Sequence, residues 1–121
     1  MTVRELYKFF EEKIPRALSC DWDNDGLMVC ANDQAEVARV LVALDITAAV
    51  AEHAIKEGYD LVVSHHPLIF RPIKAVSPGD AVANKVIKLL VSGVSAMSFH
   101  TRLDAVEGGV NDVLANSLGL C

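Results

Sequence analysis

Two adjacent histidines, His65 and His66, close the short apolar run Leu61-Val62-Val63 and stand directly before Pro67. Asp45 closes a second apolar run, His100 closes a third, and Asp104 follows shortly after it. Histidine is the commonest metal-binding side chain. A set of imidazoles with carboxylates suits Zn, Mn, Fe or Ni and differs from the all-oxygen cage that Ca or Mg prefers. Most histidine pairs are only polar strand ends. The case for chemistry rests on whether the fold brings these residues to one edge.

The run before His65 is too short for a helix, follows Gly58, and is rich in residues that favour extended backbone. Pro67 keeps His66 out of helical dihedrals and lacks the donor for a further ladder bond, so a strand stops at the histidines. Successive strand side chains point to opposite faces, so adjacent ligands converge only where the ladder ends and the backbone bends. Such a geometry suits a pair of neighbouring metals, one per imidazole.

Around that strand the spacing predicts further elements. Thr2 to Ile14 opens with the capping box Thr2-x-x-Glu5 and carries Val3, Leu6, Tyr7, Phe10 and Ile14 at helical spacing before Pro15. Asp21 to Gly26 is a turn-forming acidic segment without the twelfth-position Glu of an EF-hand, and we read it as a loop that caps or lines a site, leading into a brief strand Leu27-Met28-Val29. Glu36 to Ile46 reads as a strand covered on both faces. Thr47 caps a helix running through Glu57, with His53 at the margin of its apolar face in a structural role. Leu68 to Val76 is a stiff loop bearing Phe70 and Arg71, and Ser77-Pro78 reads as the start of a helix reaching Ser92, with Val86, Leu89 and Leu90 buried. Val94 to Phe99 is the next strand, and Gly108-Gly109 leads into a last helix over Val110 to Leu118.

The β-α-β-α-β order implies an α/β fold: a mostly parallel sheet with helices packed on its faces, an N-terminal helix and a final C-terminal helix. Asp45, His65, His66, His100 and Asp104 then fall at the carboxyl ends of the strands, where open α/β sheets build their sites.

Composition narrows the classes. The 121 residues, 52% of them hydrophobic, form a single α/β domain spanning 1–121. No apolar run approaches a membrane span and the start has no signal-peptide character, so the expected setting is the cytoplasm. A formal net charge of −5 without Lys/Arg clusters argues against nucleic acid as the main ligand. Cys20, Cys30 and Cys121 show no C-x-x-C spacing and read as packing residues. The apolar ending Leu118-Gly119-Leu120-Cys121 has no polar tail and reads as an interior cut.

Asp23-Asn24-Asp25-Gly26-Leu27, Leu44-Asp45-Ile46-Thr47, Ser64-His65-His66-Pro67-Leu68, His100-Thr101-Arg102-Leu103-Asp104-Ala105 and Gly108-Gly109-Val110-Asn111-Asp112 together resemble the dinuclear metal-centre hexameric proteins. These are the NGG-one-interacting factor three-like family, often labelled type 2 GTP cyclohydrolase I. The resemblance implies that His65, His66 and Asp104 are ligands of a two-metal site, with His100 and Asp45 nearby. It also implies a toroidal homohexamer whose sites face an internal cavity. Family members carry a second half whose late His and Glu complete the metal shells, so this chain is expected to be the N-terminal half of a longer two-part protein. Arg102 stands where many relatives carry Asn, which would change the charge at the cavity wall.

Two functions compete. In the first, two bridged divalent ions activate a water against a polarised C=O, C=N or phosphoryl group, making a metal-dependent hydrolase. The family label would make the electrophile the imidazole carbon of guanine in GTP. Gly108-Gly109 is not a phosphate-binding loop, so the triphosphate of such a nucleotide would fall to Arg71, Arg102 or another subunit. In the second, the protein is a non-catalytic ring-shaped scaffold or adaptor whose metals fix the fold or hold a ligand. An open coordination position would mark the first and a filled shell the second.

Overall fold

The computed structural model describes residues 1–120, so the reading of Cys121 lies outside the described residues. In chain order the elements are α1 (Val3–Lys13), a 3-10 turn (Arg16–Leu18), β1 (Gly26–Val29), β2 (Val40–Ala43), α2 (Ala48–Lys56), β3 (Leu61–Ser64), α3 (Ala81–Val91), β4 (Ser95–Ser98), α4 (Thr101–Ala105) and α5 (Val110–Ser117). The sheet order is β1-β4-β3-β2, with β2, β3 and β4 parallel and β1 antiparallel to β4. The α/β class and mostly parallel sheet expected from sequence are therefore present.

The register decides the rest. Ala43 pairs with Ser64, and Ser64 with Ser98, so the three parallel strands end level. The residues immediately beyond them, Leu44-Asp45, His65-His66 and Phe99-His100, emerge side by side. The ladder continues briefly as His65 and His66 donate backbone N–H groups to Ala43 and Leu44, at 3.4 and 2.9 Å. The Ser64 hydroxyl then donates to the His66 carbonyl at 2.8 Å and bends the chain.

Helices α2 and α3 cover one face of the sheet, where Ala51, Ala54, Val86 and Leu89 pack on Val29, Val62 and Ala96. Helix α1 covers the other, where Val3, Leu6 and Phe10 pack on Leu61, Val63, Met97 and Phe99. Its capping box is formed, with Glu5 N–H on the Thr2 hydroxyl and Thr2 N–H on the Glu5 carboxylate. Thr47 caps α2 as expected, accepting from Val50 N–H at 3.1 Å.

Four readings need correction. The Glu36–Ile46 strand shrinks to Val40–Ala43 and lies at the sheet edge. Its outer side chains are uncovered, with Val42 77% and Leu44 62% exposed, because the cluster under α1 stops at β3. The next helix starts at Ala81 instead of Pro78, because the Asp80 carboxylate takes the Val82 and Ala83 N–H groups at 3.0 and 2.8 Å. Ser77 serves a turn instead, and Leu90 is exposed. Helix α4, unforeseen, follows His100 directly. Of the cysteines, Cys30 packs beside the α1 cluster but Cys20 is exposed; both are free thiols.

The deepest polar feature is Arg102 on α4, which is fully buried. Its Nε donates to Asp25 Oδ2 at 3.0 Å and its Nη1 to Glu11 Oε1 at 2.7 Å and to the Ile14 carbonyl at 3.0 Å. Its Cζ lies 4.8 Å from the Phe99 ring centroid. Gly26 makes room for it: φ is +103°, and a Cβ there would fall 2.6 Å from the Tyr7 hydroxyl and 3.2 Å from Arg102 Nη2.

Removing one partner of such a pair leaves a buried charge uncompensated, so Arg102→Ala should cost about 3–5 kcal/mol, read as a lower urea midpoint. The Glu11 carboxyl gives a pH signature. Burial pushes it up, but hydrogen bonds from Arg102 and Tyr7 outweigh burial and hold it below the usual glutamate range. Its folded value lies below its unfolded value, so the contribution is complete above the ordinary glutamate range and disappears as pH falls through the depressed value. Glu11→Gln should therefore flatten the acid limb of a stability-versus-pH curve, measured by urea midpoints from neutral to acid pH.

Candidate metal centre

Each histidine at the strand ends is held by its Nδ1. His65 Nδ1 lies 3.1 Å from the Phe99 carbonyl oxygen, which can only accept, so Nδ1 carries a proton and Nε2 is the nitrogen left to face a metal. His66 Nδ1 meets Asp45 Oδ1 at 2.8 Å, and His100 Nδ1 meets Asp23 Oδ1 at 2.9 Å. An acceptor on one ring nitrogen fixes the tautomer and orientation of a metal-binding imidazole and raises the basicity of the other nitrogen. Each ring offers one nitrogen within 4.8 Å of a nitrogen of both others. The three centroids are 5.1 to 5.7 Å apart. Asp104 Oδ1 lies 3.5 Å from His65 Nε2, beside the group.

The register explains this convergence. His65, His66 and His100 leave two adjacent parallel strands at one level, and α4 turns back at once to bring Asp104 to His65. Asp23 arrives from the other direction. Because β1 is antiparallel, the residues preceding it lie at the carboxyl edge of the parallel strands: Gly26 pairs with Ser98, so Asp23 and Asp25 sit opposite the chain that leaves β4. Asp23 Oδ2 accepts the Thr101 hydroxyl at 2.6 Å and the Thr101 N–H at 3.0 Å, and Asp25 Oδ2 accepts the His100 N–H at 3.2 Å.

The Asp23 side chain is fully buried. Burial pushes its carboxyl up, yet the hydrogen bonds from Thr101 and His100 together outweigh burial and keep it ionising below the usual carboxylate range. It is thus a fixed anion behind His100. Asp45 and His66 are far more open, their side chains 52% and 45% exposed. The cluster is closed on the Asp23 side and accessible on the Asp45 side.

Of the residues singled out in the sequence, His65, His66, His100, Asp45 and Asp104 are brought together. His100 lies inside the histidine cluster, and Asp45 stands behind His66. Arg102 is corrected: it is buried with its Nε and Nη1 committed to Asp25, Glu11 and the Ile14 carbonyl, so it lies at no cavity wall and reaches no ligand. Arg71 is exposed on the loop after the histidines. His53 is exposed on α2, against the Tyr59 ring, and takes no part. The role of Asp23 in orienting His100 escaped sequence reading; the only signal was the acidic turn Asp21–Gly26, which pointed to a site without saying which acid enters it.

Fold and site define an α/β domain with a cluster of three histidines, able to hold a metal ion and flanked by carboxylates, at the carboxyl edge of its parallel strands. The chain belongs to the Duf34/NIF3 (NGG1p interacting factor 3) family, whose model matches residues 1–121. A "GTP cyclohydrolase 1 type 2 homolog" of Halalkalibacterium halodurans is 35% identical over 115 residues, 95% of this chain and 31% of the relative. Its namesake in Clostridium acetobutylicum is 34% identical over 119 residues, 98% of this chain and 44% of the relative. Among solved structures, a Bacillus cereus protein related to NIF3 superposes with a TM-score of 0.90 at 36% identity, over all of this chain and 33% of its own. Reduced HcgD from Methanocaldococcus jannaschii gives 0.88 at 34% identity, over 96% of this chain and 46% of its own. The chain thus spans less than half the length of these relatives. Among the described residues no helix is long and apolar enough to cross a membrane.

Loss of an orienting partner behind a metal-binding imidazole costs about 10–100-fold in affinity. Asp23→Asn should weaken Zn binding by that much, measured by competition with a chromophoric chelator.

Proposed function

We propose that His65, His66, His100 and Asp104 hold part of a dinuclear divalent-metal site, for Zn, Fe, Mn or Ni, and that the protein is a metal-dependent hydrolase of the GTP cyclohydrolase 1 type 2 kind. The observation that carries the reading is the Nδ1 engagement of all three clustered histidines, which leaves Nε2 of each as the donor. Ions held there would supply Lewis acidity, polarising a C=O, C=N or phosphoryl group and acidifying water. The chain's own residues do the rest. Asp23 and the Phe99 carbonyl keep His100 and His65 in one tautomer. Asp45, half-exposed beside His66, retains a free carboxylate oxygen that can accept a proton leaving the site. The printed name of the relatives makes a guanine nucleotide the favoured substrate.

Three imidazoles and one carboxylate are too few donors to fill two ions. Residues of a longer two-part product, of which these 121 residues form the N-terminal half, would complete the shells. The short coverage of the relatives supports that arrangement. The family resemblance adds a ring-shaped homohexamer and a cytoplasmic setting, and the uncovered edge strand β2 fits a chain that packs against further protein.

Elemental analysis without added metal or chelator is the test. Two equivalents per chain are expected in a full-length product and fewer in residues 1–121. His65→Ala and His66→Ala should each lower the content, while His53→Ala should leave it unchanged. Equal loss from all three would mean general unfolding and sink the assignment. No bound metal in any preparation would remove the hydrolytic reading and leave the scaffold role.

A further inference from the structure

The cluster offers donors for ions but nothing that would grip the organic part of a substrate. Beside it stand Trp22 and Phe70, 64% and 44% exposed. Their rings meet edge to face at 6.2 Å between centroids, and each meets the His100 ring edge to face at 6.3 Å. Isolated exposed apolar side chains are ordinary, but here two of the three exposed Phe and Trp side chains in the described residues converge on one ring of the histidine cluster, that of His100. The loops that carry them are fastened together. Asn24 Nδ2 donates to the Ile69 carbonyl at 2.5 Å, and Ile69 N–H donates to Met28 Sδ at 3.4 Å.

Phe70 is also a wall of a cleft of about 690 Å³ that runs from Pro67, next to His66, past Arg71, Pro72, Ile73 and Lys74. Its size is that of a small-molecule site. Among the described residues, the ion pairs made by Arg and Lys side chains are those of Arg4, Lys88 and Arg102, so Arg71 and Lys74 are unpaired; Asp80, the one acid lining the cleft, gives its carboxylate to the Val82 and Ala83 N–H groups. Arginine presents a planar fork suited to phosphate oxygens and lysine a point charge.

We propose that Trp22 and Phe70 receive the planar ring of the substrate beside His100, while Arg71 and Lys74 hold its anionic group. The inference deepens the hydrolase reading above by assigning the substrate's two ends to named side chains. The aromatic faces exclude water from one side of the ring, and the cations fix which end of the molecule approaches the histidines.

Trp22 is the single tryptophan of the chain, so its fluorescence reports on the aromatic pair directly. The full chain is titrated with guanosine, with GTP and with inorganic tripolyphosphate, and metal content is measured on the same samples. Guanosine and GTP should quench Trp22; tripolyphosphate should not, but should compete with GTP. Phe70→Ala and Phe70→Leu should each weaken guanosine and GTP about tenfold and leave tripolyphosphate unchanged, as stacking on a ring requires. Arg71→Ala should weaken GTP and tripolyphosphate and spare guanosine. Both side chains are exposed, so folding is not at stake.

Absence of quenching by guanosine, full retention in Phe70→Leu, or equal loss of all three probes in Phe70→Ala would overturn the assignment. So would a Trp22 emission that changes with protein concentration alone, which would make the pair a contact between copies. Metal-loaded chain without quenching rejects the aromatic pair and leaves the metal centre standing. Quenching in a chain that holds no metal supports the aromatic pair and rejects the metal centre.

Discussion

The buried contact of Arg102 with Asp25 and Glu11 is the constraint on which the site depends. It joins three segments far apart in sequence: α1, the turn before β1, and α4. Desolvating a guanidinium is costly, and only partners that stay in place offset the cost. The pairing therefore holds α4 tight against the strand ends. With α4 held, His100 at its start and Asp104 within it have fixed positions relative to His65. Arg102 lies outside the histidine cluster, yet the geometry of that cluster follows from where it is anchored.

Asp25 and Asp23 divide two tasks within one short turn. Asp25 faces inward to Arg102 and to the His100 N–H, and Asp23 faces His100 Nδ1 and Thr101. The backbone before α4 and the imidazole of His100 are thereby held from the same side by two anions, one structural and one orienting. Neighbouring carboxylates tolerate such closeness because each is matched to its own donors. The arrangement leaves the opposite side of the cluster, around Asp45 and His66, open to solvent and to whatever binds there.

Apolar exposure also runs along the sheet edge and the last helix. On β2, Val40, Val42 and Leu44 are exposed where α1 does not reach, and on and after α5 Val113, Leu114, Leu118 and Leu120 are exposed. Period-two alternation on β2 and helical spacing on α5 give continuous uncovered stripes instead of scattered residues.

The sequence by itself determined the elements other than α4, the parallel run of β2, β3 and β4, and the edge at which the chemistry collects. Local periodicity, caps and the Pro67 stop act over a few residues, and the order β-α-β-α-β leaves few ways to arrange parallel strands. His65, His66 and His100 could therefore be placed together before any coordinates. Strand direction and depth were not legible. Nothing local in Gly26–Val29 states that it runs antiparallel beside β4, and that single choice brings Asp23 and Asp25 to the site. Nor does a lone Arg in a polar motif reveal whether it faces solvent or the core. Arg102 is buried because Asp25, Glu11 and the space at Gly26 are waiting for it, and those partners meet only in the folded chain.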